Sequence, residues 1–197
     1  ADVGIARLEN KQLLVNGFED RLSEDFRYHL RWNINRGLNL DLNFVDGQRV
    51  SRSDVLTQRN YRVVSENFNP SLTLQPSRNL RFTASYAFKD KSNVFTEMST
   101  EKAELTELGL GARFSKAVQT SITANFKYID IKFEGTETSP VGYELLEALR
   151  PGTNLTWNLN WQQKIGSGLQ LLVRYDGRKS EGSPVVHLGR VQVTALF

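Results

Sequence analysis

The chain has 197 residues, 39% of them hydrophobic, no Cys, a formal charge of +3 and a mean hydropathy of -0.43. So small a charge, without Lys/Arg runs or an aromatic-plus-glycine RNA signature, argues against nucleic acid as a partner. No run of about 18 apolar residues exists, which excludes a transmembrane helix, and no charged-then-apolar segment opens the chain, so Ala1 reads as a mature N-terminus or a cut inside a longer polypeptide.

Averages are blind to period-2 patterning, and that is where the information lies. After a weakly patterned first strand over about Val3–Val15, the second strand turns Phe26, Tyr28, Leu30, Trp32 and Ile34 to one face and Arg27, His29, Arg31 and Asn33 to the other. Successive side chains of a strand point to opposite faces, so this is a ribbon with one greasy and one wet side. Asn35-Arg36-Gly37 is a tight turn. Leu38, Leu40, Leu42 and Phe44 continue the apolar face in the third strand, which opens at Val45 into a long charged loop over Asp46–Arg62. The fourth strand, about Val63–Leu74, holds Pro70 at its centre, which requires a late start, a bulge or a sheet edge. After the turn Gln75–Asn79, the fifth strand presents Leu80, Phe82, Ala84, Tyr86 and Phe88 outward and ends in a second loop over about Lys89–Lys102.

Leu108, Leu110, Ala112 and Phe114 mark the sixth strand, and Ser115–Gln119 its turn. The seventh carries Ile122, Ala124, Phe126 and Tyr128 outward; then the parity slips to Ile129, Ile131 and Phe133, as at a β-bulge or where a strand rises clear of a membrane. Leu145, Leu146 and Leu149 sit at helical spacing within Tyr143–Arg150, before Pro151-Gly152, and predict a short helix in the third loop. Leu155, Trp157, Leu159 and Trp161 make the eighth strand, and Lys164–Gly168 its turn. Leu169, Leu171, Val173 and Tyr175 make the ninth; Asp176–Ser183 is the last loop, and Val191, Val193, Ala195 and Phe197 close the chain.

Short and long connections alternate, as in bacterial outer-membrane barrels, and an even strand count puts both termini on the periplasmic side. In that orientation two belts of outward aromatics form. Phe26, Tyr28, Phe44, Tyr86, Phe88, Tyr128 and Tyr175 lie toward the extracellular ends, and Trp32, Phe82, Phe114, Trp161 and Phe197 toward the periplasmic ends. Lipid interfaces select such belts. The expectation is an all-β, antiparallel transmembrane β-barrel of about ten strands, a single domain over residues 1–197 or the C-terminal part of a longer chain, in a bacterial outer membrane. A soluble β-sandwich or lipocalin-like binder survives only if inside and outside are reversed.

Three stretches resemble the C-terminal barrel region of large Bacteroidetes outer-membrane proteins: Leu72–Tyr86, Leu149–Lys164, and the ending Tyr175–Gly182 with His187–Phe197. The resemblance implies an outer-membrane location and assembly by the barrel-insertion machinery, with the terminal aromatic strand as recognition signal. It implies no activity and no site residues.

On the wet face Arg27, Arg31, Arg81, Lys89, Arg113, Lys127, Arg174 and Arg190 outnumber Asp41, Glu107 and Asp176. A ring of Arg in a channel prefers anions. The favoured reading is a polar network that fills the interior, since a barrel of about eight strands is barely wider than its own side chains. Catalysis has little support: His29 lies between Arg27 and Arg31, and His187 has lipid-face parity. Neither Cys, a His pair at ligand spacing nor an Asp-rich loop signals a metal, and no cofactor is expected. Asn154-Leu155-Thr156 matches a glycosylation sequon inside a strand, where chance explains it. Arg49, Arg52, Arg178 and Lys179 at the rim could hold lipopolysaccharide phosphates. The expected role is a membrane anchor or subunit of a larger envelope assembly; the alternative is a free-standing, anion-preferring channel. Expected partners are outer-membrane lipid and lipopolysaccharide, the insertion machinery and other envelope proteins.

Overall fold

In a computed structural model, residues 1–14, 17–95, 101–117, 119–147, 149–166 and 168–195 are described. Ten strands run β1 (Asp2–Leu14), β2 (Gly17–Asn35), β3 (Leu38–Ser53), β4 (Tyr61–Ser77), β5 (Leu80–Asn93), β6 (Lys102–Lys116), β7 (Thr120–Glu134), β8 (Gly152–Ile165), β9 (Leu169–Ser180) and β10 (Val186–Ala195); α1 (Pro140–Leu145) lies between β7 and β8. They form one sheet in sequence order, every neighbouring pair antiparallel. The ten-strand antiparallel expectation holds. No helix among the described residues is long and apolar enough to cross a membrane.

Directly paired residues share a face, so the register shows the two surfaces row by row. Tyr28, Phe44, Phe68 and Phe88 are successive partners across β2 to β5, an aromatic belt at the upper edge of the apolar band. Phe68 completes that belt. The next outward row above it is charged from β3 to β7, with Asp46, Glu66, Asp90, Glu104 and Lys132, while its members on β2 and β1, Phe26 and Ile5, stay apolar. The apolar outer band thus stops abruptly, as a hydrocarbon boundary demands. Membrane strands need about 9–11 residues; β2, at 19 residues, and β4, at 17, continue well beyond the band.

That excess length corrects several expectations. The charged segment Asp46–Arg62 is mostly strand, a hairpin that rises above the band to a short 3-10 turn at Thr57–Arg59. β7 has no bulge where the parity slips: Lys102 to Lys116 pair with Glu134 to Thr120 without a shift. The strand keeps its geometry while its surroundings change, so Ile129 and Ile131 become buried on the inner face. Pro70 neither delays, bulges nor edges β4. It pairs with Leu42 of β3, while the ladder to β5 is interrupted between Phe68 and Ser71 in unchanged register.

Gly177 lies under the Trp157 ring, where an added Cβ would collide with the indole. Trp157, Gly177 and His187 are successive partners across β8, β9 and β10. The Trp157 and His187 rings lie 5.9 Å apart, and the Tyr175 hydroxyl bonds His187 Nδ1 at 2.7 Å. Gly177→Ala therefore has to displace the indole, and should cost about 1–3 kcal/mol in lipid-based unfolding. Combination with Trp157→Ala should recover part of the loss, because the two residues share one contact.

Candidate functional site

All the predicted basic residues project from the inner face, opposite in parity to the aromatic belts. Most are paired. Arg27 meets Asp25 at 3.0 Å, Arg31 Nε meets Asp41 at 3.1 Å, Lys127 Nζ meets Glu107 at 2.6 Å and Arg174 Nε meets Asp176 at 2.8 Å. Lys89 reaches Glu147 at 2.8 Å. Arg81, Arg113 and Arg190 have no carboxylate within ion-pair distance among the described residues; Arg81 donates to Gln75 Oε1 at 3.3 Å. These three belong to one register row, Arg81–Arg113–Thr123–Asn160–Arg174–Arg190. A cleft of about 250 Å³ opens beside Arg78, Arg81 and Arg113 at the short-turn end.

At the opposite end the inner face turns apolar. Val63, Ala103, Leu105, Ile129 and Ile131 form one cluster with Val141, Leu145 and Leu146 of the β7–β8 loop, flanked by Tyr61, Phe133 and Leu149. The loop helix therefore folds onto the inside of the sheet. Its start carries a sequence signal in Ser139-Pro140: Ser139 caps it, its Oγ accepting from the Gly142 N–H at 2.8 Å, and Pro140 occupies the first turn. The helix thus spans Pro140–Leu145 instead of Tyr143–Arg150, and Glu147, at φ 52, lies beyond its end.

Ion pairs lock the loop. Glu147 lies between Lys89 and Lys91, at 2.8 Å from each, and Arg49 Nη1 meets Glu144 at 2.7 Å. Burial pushes the Glu147 carboxyl up, but hydrogen bonds and charge from Lys89 and Lys91 outweigh it and bring the pKa down to about 2. Glu144 holds the Arg49 guanidinium above its ordinary range, against its own burial. The buried Asn154 anchors the loop's return by donating to the Arg150 carbonyl at 2.7 Å and the Gly152 carbonyl at 3.2 Å. A side chain so enclosed presents no glycan acceptor.

Other predicted residues separate. His29 is flanked by carboxylates, Asp2 at 3.3 Å and Asp41 at 3.2 Å, and not by the charges of Arg27 and Arg31, which turn to Asp25 and Asp41. Of the rim cations, Arg49 and Arg178 project inward while Arg52 and Lys179 project outward, so the four do not converge on one phosphate. Tyr28, Trp32, Phe44, Tyr86, Phe88, Tyr128, Trp161 and Tyr175 share the outer face; Phe197 lies outside the described residues.

An antiparallel meander with an apolar, aromatic-bordered exterior and a polar interior is the fold of an outer-membrane β-barrel. A solved structure, outer-membrane expressed OmpT of Vibrio cholerae, superposes on it with a TM-score of 0.55 and 7% identity, over 88% of this chain and 54% of that one. The likeness is one of fold. This chain matches about half the length of that protein. No family model matches the sequence, and no curated protein matches it.

Fully burying a leucine is worth roughly 1.5–3 kcal/mol, against 0–1 for an exposed ion pair, so packing dominates the loop's docking. Leu145→Ala should free the loop to protease at neutral pH. Glu147→Gln should weaken docking by about 1–2 kcal/mol, a value discounted because the carboxylate is 37% exposed. Because the folded pKa is depressed, this contribution is complete above about 4.5 and lost as pH falls through about 2. Amide protection of residues 141–147, corrected for the intrinsic exchange rate at each pH, should therefore fall between those values by more in the parent than in Glu147→Gln.

Proposed function

We propose that this chain is wall and anchor of an outer-membrane barrel whose interior is closed at its extracellular end, serving as a subunit of a larger envelope assembly. The observation that carries this reading is the β7–β8 loop packed against the inner face of β4 to β7. A conduit keeps that space wet; here Leu145 and Leu146 are buried in it. Five inner-face cations are neutralised by carboxylates as well, which lowers the field an anion channel would need. Bacteroidetes-type sequence resemblance supports the outer-membrane address and delivery by the barrel-insertion machinery; the even strand count supports periplasmic placement of both ends of this stretch, with lipid and lipopolysaccharide as its surroundings.

A second reading has its own support. Arg81, Arg113 and Arg190 leave an unpaired cationic row toward the short-turn end, suited to an anion vestibule. Planar-bilayer recording of the intact protein separates the two. The anchor predicts silent membranes, with current appearing at most after removal of the loop over 137–149. Steady anion-selective steps from the parent, abolished by Arg81→Ser with Arg190→Ser, would establish the channel instead.

A further inference from the structure

A strand inside hydrocarbon cannot leave its peptide groups unpaired, because no water is there to take them. Yet among the described residues β1 pairs only with β2, and β10 only with β9. Both edges enter the apolar band, although the outward face of β1 turns charged at Arg7, Glu9 and Lys11. Val3 and Ile5 of β1 are partners of Tyr28 and Phe26, and Val191 and Val193 of β10 are partners of Val173 and Leu171. Val3 and Ile5 are 72% exposed and Val191 67%, above the large outward hydrophobics of β3 to β9, which reach 62% at Leu110 and otherwise stay at or below 50%.

We propose that β1 and β10 are not each other's seam but the two margins of an arc, each completed in the membrane by further antiparallel strands of the same polypeptide outside residues 1–197. The inference rests on the membrane placement proposed above. β1 rises from the short-turn end and β10 descends to it, so an even number of added strands fits between them. The strand beside β10 must rise, and the one beside β1 must descend. Their pattern follows from their neighbours: apolar residues outward, level with Val3, Ile5, Val191 and Val193, and polar residues inward. Charge adds one detail. Arg190 is paired in register with Arg174, whose guanidinium is taken by Asp176, and like charges directly opposite destabilise a ladder. An acidic or amide side chain on the inner face of the added strand, opposite Arg190, supplies the missing counterpart.

These 197 residues contain no Cys, so thiols can be placed at chosen positions with no background from this stretch. In the intact protein in its own membrane, Val173→Cys with Val191→Cys is the internal control, and a thiol cross-linker of about 10 Å should join them, since adjacent strands lie about 4.8 Å apart. Ile5→Cys combined in turn with Val191→Cys, Val193→Cys or Ala195→Cys should give no intrachain product. A photoreactive residue in place of Val193 should attach to a peptide outside residues 1–197. Attachment to β1, or any intrachain β1–β10 product, overturns the proposal, and so does a product joining β10 of one copy to β1 of another. Loss of the control cross-link together with release of the protein by alkali marks failure of the membrane placement itself, and the arc falls with it.

Discussion

Every peptide group in a hydrocarbon layer must find its hydrogen-bond partner within the protein, and the rest of this molecule follows from that demand. It forces a continuous antiparallel ladder from β1 to β10, and the ladder in turn forces side chains to alternate between lipid and interior. It also explains how Pro70 is accommodated. The proline cannot donate, so the β5 ladder lapses locally while the β3 ladder and the register are kept.

Above the apolar band the constraint relaxes, because water meets the outer face. The strands continue without a change in backbone geometry, but the chemistry of the faces exchanges. Outward positions become Asp46, Glu66, Asp90 and Glu104, while inward positions become Val63, Leu105, Ile129 and Ile131. One ladder therefore carries two opposite polarity patterns, a membrane section turned inside out from the section above it. The loop helix is what makes the upper section stable. Without Leu145 and Leu146 the inward apolar residues would face solvent, and without Lys89 and Lys91 the Glu147 carboxylate would have no reason to enter.

The parts of the fold legible in the sequence were those where a single strand carries its own signal. Trp32 and Ile34 before Asn35-Arg36-Gly37, or Leu155 to Trp161, show face and turn within a few residues, since alternation and turn chemistry are local. The inner-face network was not legible in the same way. Asp25 pairs with Arg27 along its own strand, yet Glu147 reaches Lys89 across 58 residues of sequence. Strand parity cannot place Glu147, a loop residue, beside Lys89 and Lys91. The slip at Ile129, Ile131 and Phe133 was visible but could not be assigned, because a bulge and a change of surroundings leave the same pattern in one strand.

The sequence by itself determined the class of fold, the lipid-facing surface and the positions of the short turns, because period-2 alternation follows from strand geometry alone and does not depend on which strands are neighbours. Only the tertiary structure decided what fills the interior. It brought α1 against β4 to β7, paired Glu147 with Lys89 and Lys91, and set Trp157 over Gly177. Those contacts depend on register and loop path, which join residues from separate strands and which no single strand encodes.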